Sequence, residues 1–257
     1  MDFEFRRPQS AKASLKRIAV LLGVIGAAFI VSQLFGLVAA GILAATGTAR
    51  QSVAGYGLSV ISQGAAFITV TILYLNSQDL RKIVPVETPN TDDVRWMIGG
   101  FILIVLIASA AGIIVETLGV ETAENQITEV GDKNPTLYLL LIPLSFIAVG
   151  TSEELLFRGL VQKRLEPFFG TGGAVVAGCS IFAAAHVFAL QGTIAGIMTT
   201  IGVLFVVSTV FGVAYAATDN ILVPIFIHGA YNATIFAMLY IAATADIPSV
   251  SQLLLLL

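Results

Sequence analysis

Charge is what this 257-residue sequence most lacks: only 11% of its residues are Asp, Glu, Lys or Arg, where a soluble domain carries about 25%. That shortfall leaves too little polar surface to cover a globule in water. Cysteine is nearly absent as well. The single Cys179 excludes an intramolecular disulfide and any metal site built from paired cysteines. The net charge is only -3, and no basic run points to a nucleic-acid partner. Histidine occurs only twice. No His-Glu-x-x-His occurs, and no internal repeat of the kind that marks many transporters.

Apolar residues fill the space that charge vacates. They make up 57% of the chain, with a mean hydropathy of +0.93, and they come in uninterrupted runs rather than amphipathic stripes. Lipid is therefore the expected solvent. Seven runs, at 18–45, 56–75, 97–116, 137–158, 174–190, 193–217 and 221–243, are each near the ~20 residues that cross ~30 Å of hydrocarbon as a helix. Backbone groups in lipid must pair within their own segment, so helix is the reading for each run. The expected fold is an all-α, polytopic transmembrane helical bundle of about seven spans, with Leu253 to Leu257 in the tail offering part of an eighth. Residues 1–17 read as a basic cytoplasmic segment, 18–243 as the membrane domain and 244–257 as a short tail. The first run is about twice the length of a cleavable signal's apolar core, which favours a retained anchor.

Lysine and arginine set the expected orientation. With the N-terminus in the cytoplasm, Arg6, Arg7, Lys12, Lys16, Arg17, Arg81, Lys82, Arg95, Arg158, Lys163 and Arg164 all fall inside, and only Arg50 and Lys133 fall outside. The expected location is thus an integral membrane position, in the cell membrane. Glu121, Glu124 and Glu129 read as an ordinary solvated loop.

Against this background the polar residues within the runs stand out. Glu153, Glu154 and Arg158 lie in the fourth run, His186 in the fifth, and His228 with Asn232 in the seventh. Each ionisable group at membrane depth costs about 2.5–3.5 kcal/mol on insertion scales, so function is the default reading. Glu154 and Arg158 are four apart and share a helix face, where the arginine offsets the carboxylate. Phe182 and His186 share a face of the fifth run, and His228 and Asn232 a face of the seventh. Three helices thereby offer polar stripes to one interior. Taken singly, each stripe has a bland reading: a solvated ion pair, a histidine capping a carbonyl, or interhelical hydrogen bonding. Phe182 reads as packing, and Cys179 as a small apolar thiol rather than a nucleophile.

The stretches Glu153-Glu154-Leu155-Leu156-Phe157-Arg158, Phe182-Ala183-Ala184-Ala185-His186 and His228-Gly229-Ala230-Tyr231-Asn232 resemble, in order, the three motifs of the CPBP intramembrane proteases. That group includes CAAX prenyl proteases and bacteriocin-processing or immunity proteins. The resemblance covers a core of about 137–243 and implies peptide-bond hydrolysis by an activated water. Carried over, Glu153 is the general base and His186 helps hold the water. His228 and Asn232 stabilise the oxyanion, and Glu154 with Arg158 steadies the site. The implied partner is a peptide or a membrane-anchored protein substrate in the lipid bilayer.

A metal reading stands beside the water reading. Glu153, His186 and His228, with Glu154 near them, supply the oxygen and nitrogen donors that a catalytic zinc uses. Two other functions also fit membrane carboxylates and histidines. One is an ion- or proton-coupled transporter, and the other a noncatalytic peptide-binding or immunity protein on the same scaffold.

Overall fold

The computed structural model describes residues 3–6 and 10–245. Arg7 and tail residues 246–257, with the suggested eighth membrane segment, lie outside the described residues. The long helices are α1 (Ala11–Ala45), α2 (Val53–Ser77), α3 (Thr91–Leu118), α8 (Ile194–Thr218) and α9 (Leu222–Thr244), with a short α4 (Gln126–Lys133) after α3. Their first turns are closed by side chains that accept otherwise unpaired N–H groups. Ser10 accepts from Ala13, Ser52 from Gly55, and Thr193 from Gly196. Asn90 and Asp93 close α3 reciprocally as a capping box, and Gly119 ends α3 in the left-handed region.

Between α4 and α8 the chain is helical almost without interruption: α5 (Thr136–Leu144), α6 (Thr151–Glu154) and α7 (Lys163–Ala185), joined by π-helical segments at Ser145–Gly150 and Leu155–Gln162. Among the described residues, Thr136–Ala189 is one of six helical stretches long and apolar enough to cross a membrane, and at 54 residues it is more than twice the necessary length. It doubles back at Gly170, where φ 71° and ψ 173° break the helix. A Cβ there would lie 2.3 Å from the carbonyl oxygen of Glu4, so glycine alone fits. Two backbone bonds clasp the bend: Arg6 N–H donates to Phe169 O (2.8 Å) and Gly172 N–H to Glu4 O (3.0 Å). Beyond the bend the arms pack antiparallel, Gln162 against Gly178 and Phe157 against Phe182. The fourth and fifth expected spans are the two arms of this hairpin. The protein is an all-α, multi-pass integral membrane bundle.

The π segments flank the residues that carry the acidic motif. Pro143 precedes the first, and Thr151 Oγ1 donates to the carbonyl of Phe146, five residues back, at 2.7 Å. Such widened turns inside α-helices recur at functional sites, and the sequence reading did not anticipate them. Packing holds the stretch from several sides. α2 lies along α1 and against α5 and α6, while α9 packs on α5, α6, α3 and α8. The start of α9 is fixed by Asn220, whose Nδ2 donates to Glu87 O (3.0 Å) and Asp93 Oδ2 (3.2 Å). The loop after α3 is more organised than its acidity suggested. Its strand β1 (Glu124–Asn125) pairs antiparallel with β2 (Leu190–Gln191), Thr193 Oγ1 donates to Glu121, and Tyr138 donates to Asp132 at 2.8 Å.

Candidate active site

The three motif helices bring Glu153, Glu154, Arg158, His186 and His228 into one cluster. Glu154 is its centre, with a fully buried side chain. Its Oε1 accepts from Arg158 Nη1 at 3.2 Å and from His228 Nδ1 at 2.8 Å. The expected i,i+4 pair therefore forms despite the π turn between its members, and it also engages the third motif. Arg158, itself 1% exposed, donates its Nη2 to the carbonyl of Ser208 at 3.0 Å and stands over the rings of Phe182 (4.4 Å) and Phe211 (5.2 Å). A buried guanidinium is tolerable only when its charge and donors are matched in this way.

Glu153 points elsewhere, as its neighbouring position on the helix requires. Its Oε2 is buried without a hydrogen-bond partner among the described residues. It stands 3.9 Å from His186 Nε2 and 4.0 Å from His228 Nε2. Each imidazole has its other nitrogen engaged. His186 Nδ1 lies 2.8 Å from the carbonyl of Phe182, an acceptor only, so Nδ1 carries the proton and donates. His228 Nδ1 faces the Glu154 carboxylate by the same logic. In the neutral ring both Nε2 atoms consequently aim lone pairs at Glu153. Exposure separates two layers. Glu153 and His186 side chains are 14% and 25% exposed, whereas Glu154 and His228 are 0% and 5%. The first pair lines the open side and the second the closed side.

Asn232 lies one helical turn beyond His228 on α9 and is half-buried, but no hydrogen bond ties it to the five clustered residues. Phe182 packs between Phe157, Arg158, His186 and His228, as a wall. Cys179 is buried and donates to Ser208 O at 3.3 Å.

Distances test the zinc reading. Zinc holds nitrogen and oxygen ligands at about 2.0–2.2 Å, which separates tetrahedral neighbours by about 3.4 Å. The 3.9 and 4.0 Å found here would open the angle at zinc to about 140°. Among the described residues, no group of three or more His, Cys, Asp and Glu side chains is arranged to hold a metal ion. A water with hydrogen bonds of about 2.8 Å spans the same gaps at an angle of about 90°, without any side chain moving. The donors as placed stand wider apart than tetrahedral zinc ligands, at a spacing that a bridging water spans.

Sequence reasoning placed α8 as the span at 193–217 but missed its part in the site, and it stopped one turn short on the acidic helix. Gln162, fully buried, donates its Nε2 to Gly212 O at 3.0 Å and extends the Glu154–Arg158 stripe by another turn. Its spacing could have revealed it. Ser208 contributes a backbone carbonyl, and Phe211 is one aromatic in an apolar run; neither leaves a signal in sequence. Phe211 stacks on His228 with ring centroids 4.7 Å apart and planes at 14°.

Residues 135–234 match the family model described as Type II CAAX prenyl endopeptidase Rce1-like. The match contains all three motifs and every residue of the cluster, and it leaves out α1, α2 and α3. It agrees with the resemblance to CPBP intramembrane proteases. No curated protein and no solved structure matches the chain.

Proposed function

We propose that this chain, an integral membrane protein whose residues 135–234 carry a CAAX-protease-type core, is an intramembrane endopeptidase that uses a glutamate-activated water. The observation that carries the reading is the unpartnered Glu153 Oε2 facing two Nε2 atoms at water-bridging distance. In this reading Glu153 takes one proton from the water, while His186 Nε2 accepts a hydrogen bond from the other, which stays on the oxygen, fixing the lone pair that attacks. The water oxygen bonds to the scissile carbonyl carbon, and the carbonyl oxygen becomes an oxyanion. Collapse breaks the C–N bond as Glu153 returns the proton to the leaving amine.

The oxyanion needs a donor, and His228 supplies one only as an imidazolium, with a proton on Nε2 as well as Nδ1. Asn232, on the next turn of the same face, is the second donor that the resemblance implies. The match further suggests, as substrate, a membrane-tethered tail ending in a prenylated Cys-aliphatic-aliphatic-X sequence. The lysine and arginine distribution supports a cell-membrane protein with its N-terminus in the cytoplasm.

The test is cleavage of a prenylated, fluorescence-quenched Cys-aliphatic-aliphatic-X peptide by the protein in liposomes. Glu153→Gln and His186→Ala should each abolish cleavage, and treatment with a chelator should leave the wild type unchanged. Cleavage persisting unchanged in Glu153→Gln removes the mechanism. Loss on chelation, restored by added zinc, replaces the water reading with a metal one.

A further inference from the structure

We infer that Phe211, on a helix without any motif, is a positioning residue that sets the plane of the His228 ring. The inference rests on the proposed role of His228 as oxyanion donor, but its geometry stands independently. One hydrogen bond, Nδ1 to Glu154, anchors the imidazole at a single atom. Rotation about that contact would swing Nε2 away from Glu153. The ring of Phe211 prevents it, lying nearly parallel at 4.7 Å, while Phe182 stands edge-on at 6.1 Å and 81°. Phe211 is 2% exposed and has no route to substrate of its own.

The position of Phe211 is itself fixed from the acidic helix. Arg158 Nη2 and the Cys179 thiol both donate to the carbonyl of Ser208, and Gln162 Nε2 donates to that of Gly212. These carbonyls lie three residues before and one after Phe211. Two buried side chains four apart on one helix thus grip carbonyls four apart on another, and that grip locks the register of α8. A shift of α8 by a residue would carry the ring off His228. Arg158 accordingly reaches His228 by two routes, through Glu154 directly and through α8 and Phe211.

Having only two histidines makes the test clean. Nitrogen-15 histidine labelling of the detergent-solubilised protein gives one pair of ring signals for His186 and one for His228, whose long-range couplings report tautomer and charge. Phe211→Leu should shift the His228 pair and leave the His186 pair in place, with Phe211→Trp restoring the wild-type pattern. Cleavage of the prenylated reporter should follow, kcat falling about tenfold to a hundredfold in Phe211→Leu with KM nearly unchanged. Phe211→Met, similar in volume but without a ring face, should behave like Leu and serves if Leu misfolds. Unchanged His228 signals in a folded Leu or Met variant overturn the inference. So does a Trp variant that fails to restore them. Failure of the glutamate-activated-water reading looks different: Glu153→Gln would still cleave, whatever the His228 signals show.

Discussion

α1 and α9 are both membrane helices, yet they do opposite work. α1 turns Leu22, Ile30, Leu34, Leu37, Val38 and Ile42 outward and buries chiefly small and aliphatic residues such as Leu21, Ile25 and Ala28. α9 buries a histidine and a glycine side by side, with Pro224 one turn before. Around Gly36 of α1 an added methyl group would meet nothing within 4 Å. At Gly229 of α9 it would fall 2.4 Å from the Phe146 ring. Helices on the lipid boundary are held by apolar character, which many sequences satisfy. A helix at the convergence is held by close approach and matched polar groups, which few do.

The largest effect should come from the convergence itself. His228→Ala is expected to lower kcat for the prenylated reporter by about a hundredfold to a thousandfold, as loss of one oxyanion donor does. Equal loss from an α1 substitution such as Leu37→Ala would erase the contrast between the helices. Next comes stability. Arg158→Ala leaves the Glu154 carboxylate buried with only His228 against it, at a cost of about 3–5 kcal/mol, read as a lower melting temperature in detergent. A melting temperature equal to wild type would mean that Glu154 had found water or another donor. Gly229→Ala should cost about 1–3 kcal/mol, because the Phe146 ring has to move, and should lower cleavage by displacing His228. The smallest effect belongs to α1: Gly36→Ala should be neutral or stabilise by up to about 1 kcal/mol, through the better helix propensity of alanine. Should Gly36→Ala instead destabilise as much as Gly229→Ala, α1 would have an unseen packing partner.

Most of the helical segments could be placed from hydropathy, because a span needs only length and the absence of charge. The fourth and fifth spans show the limit. Their apolar runs were legible, but that they form one helical hairpin depends on the Gly170 conformation and on Glu4 and Arg6, far away in sequence, clasping it. Glu153, Glu154, Arg158, His186 and His228 were legible because polar groups at membrane depth are too costly to be incidental. Asn232 was named for the same reason, and the structure puts it on the expected face without bonding it to the others.

The sequence by itself determined the solvent, the helical class and the identity of the clustered polar residues, since each of these follows from local composition and from energetic cost. Tertiary structure alone decided which nitrogen faces which carboxylate, how far apart those groups stand, and that Ser208 and Phe211 pack against them. A backbone carbonyl and a ring face carry no signature in an apolar run. They acquire meaning only when another helix is brought against them.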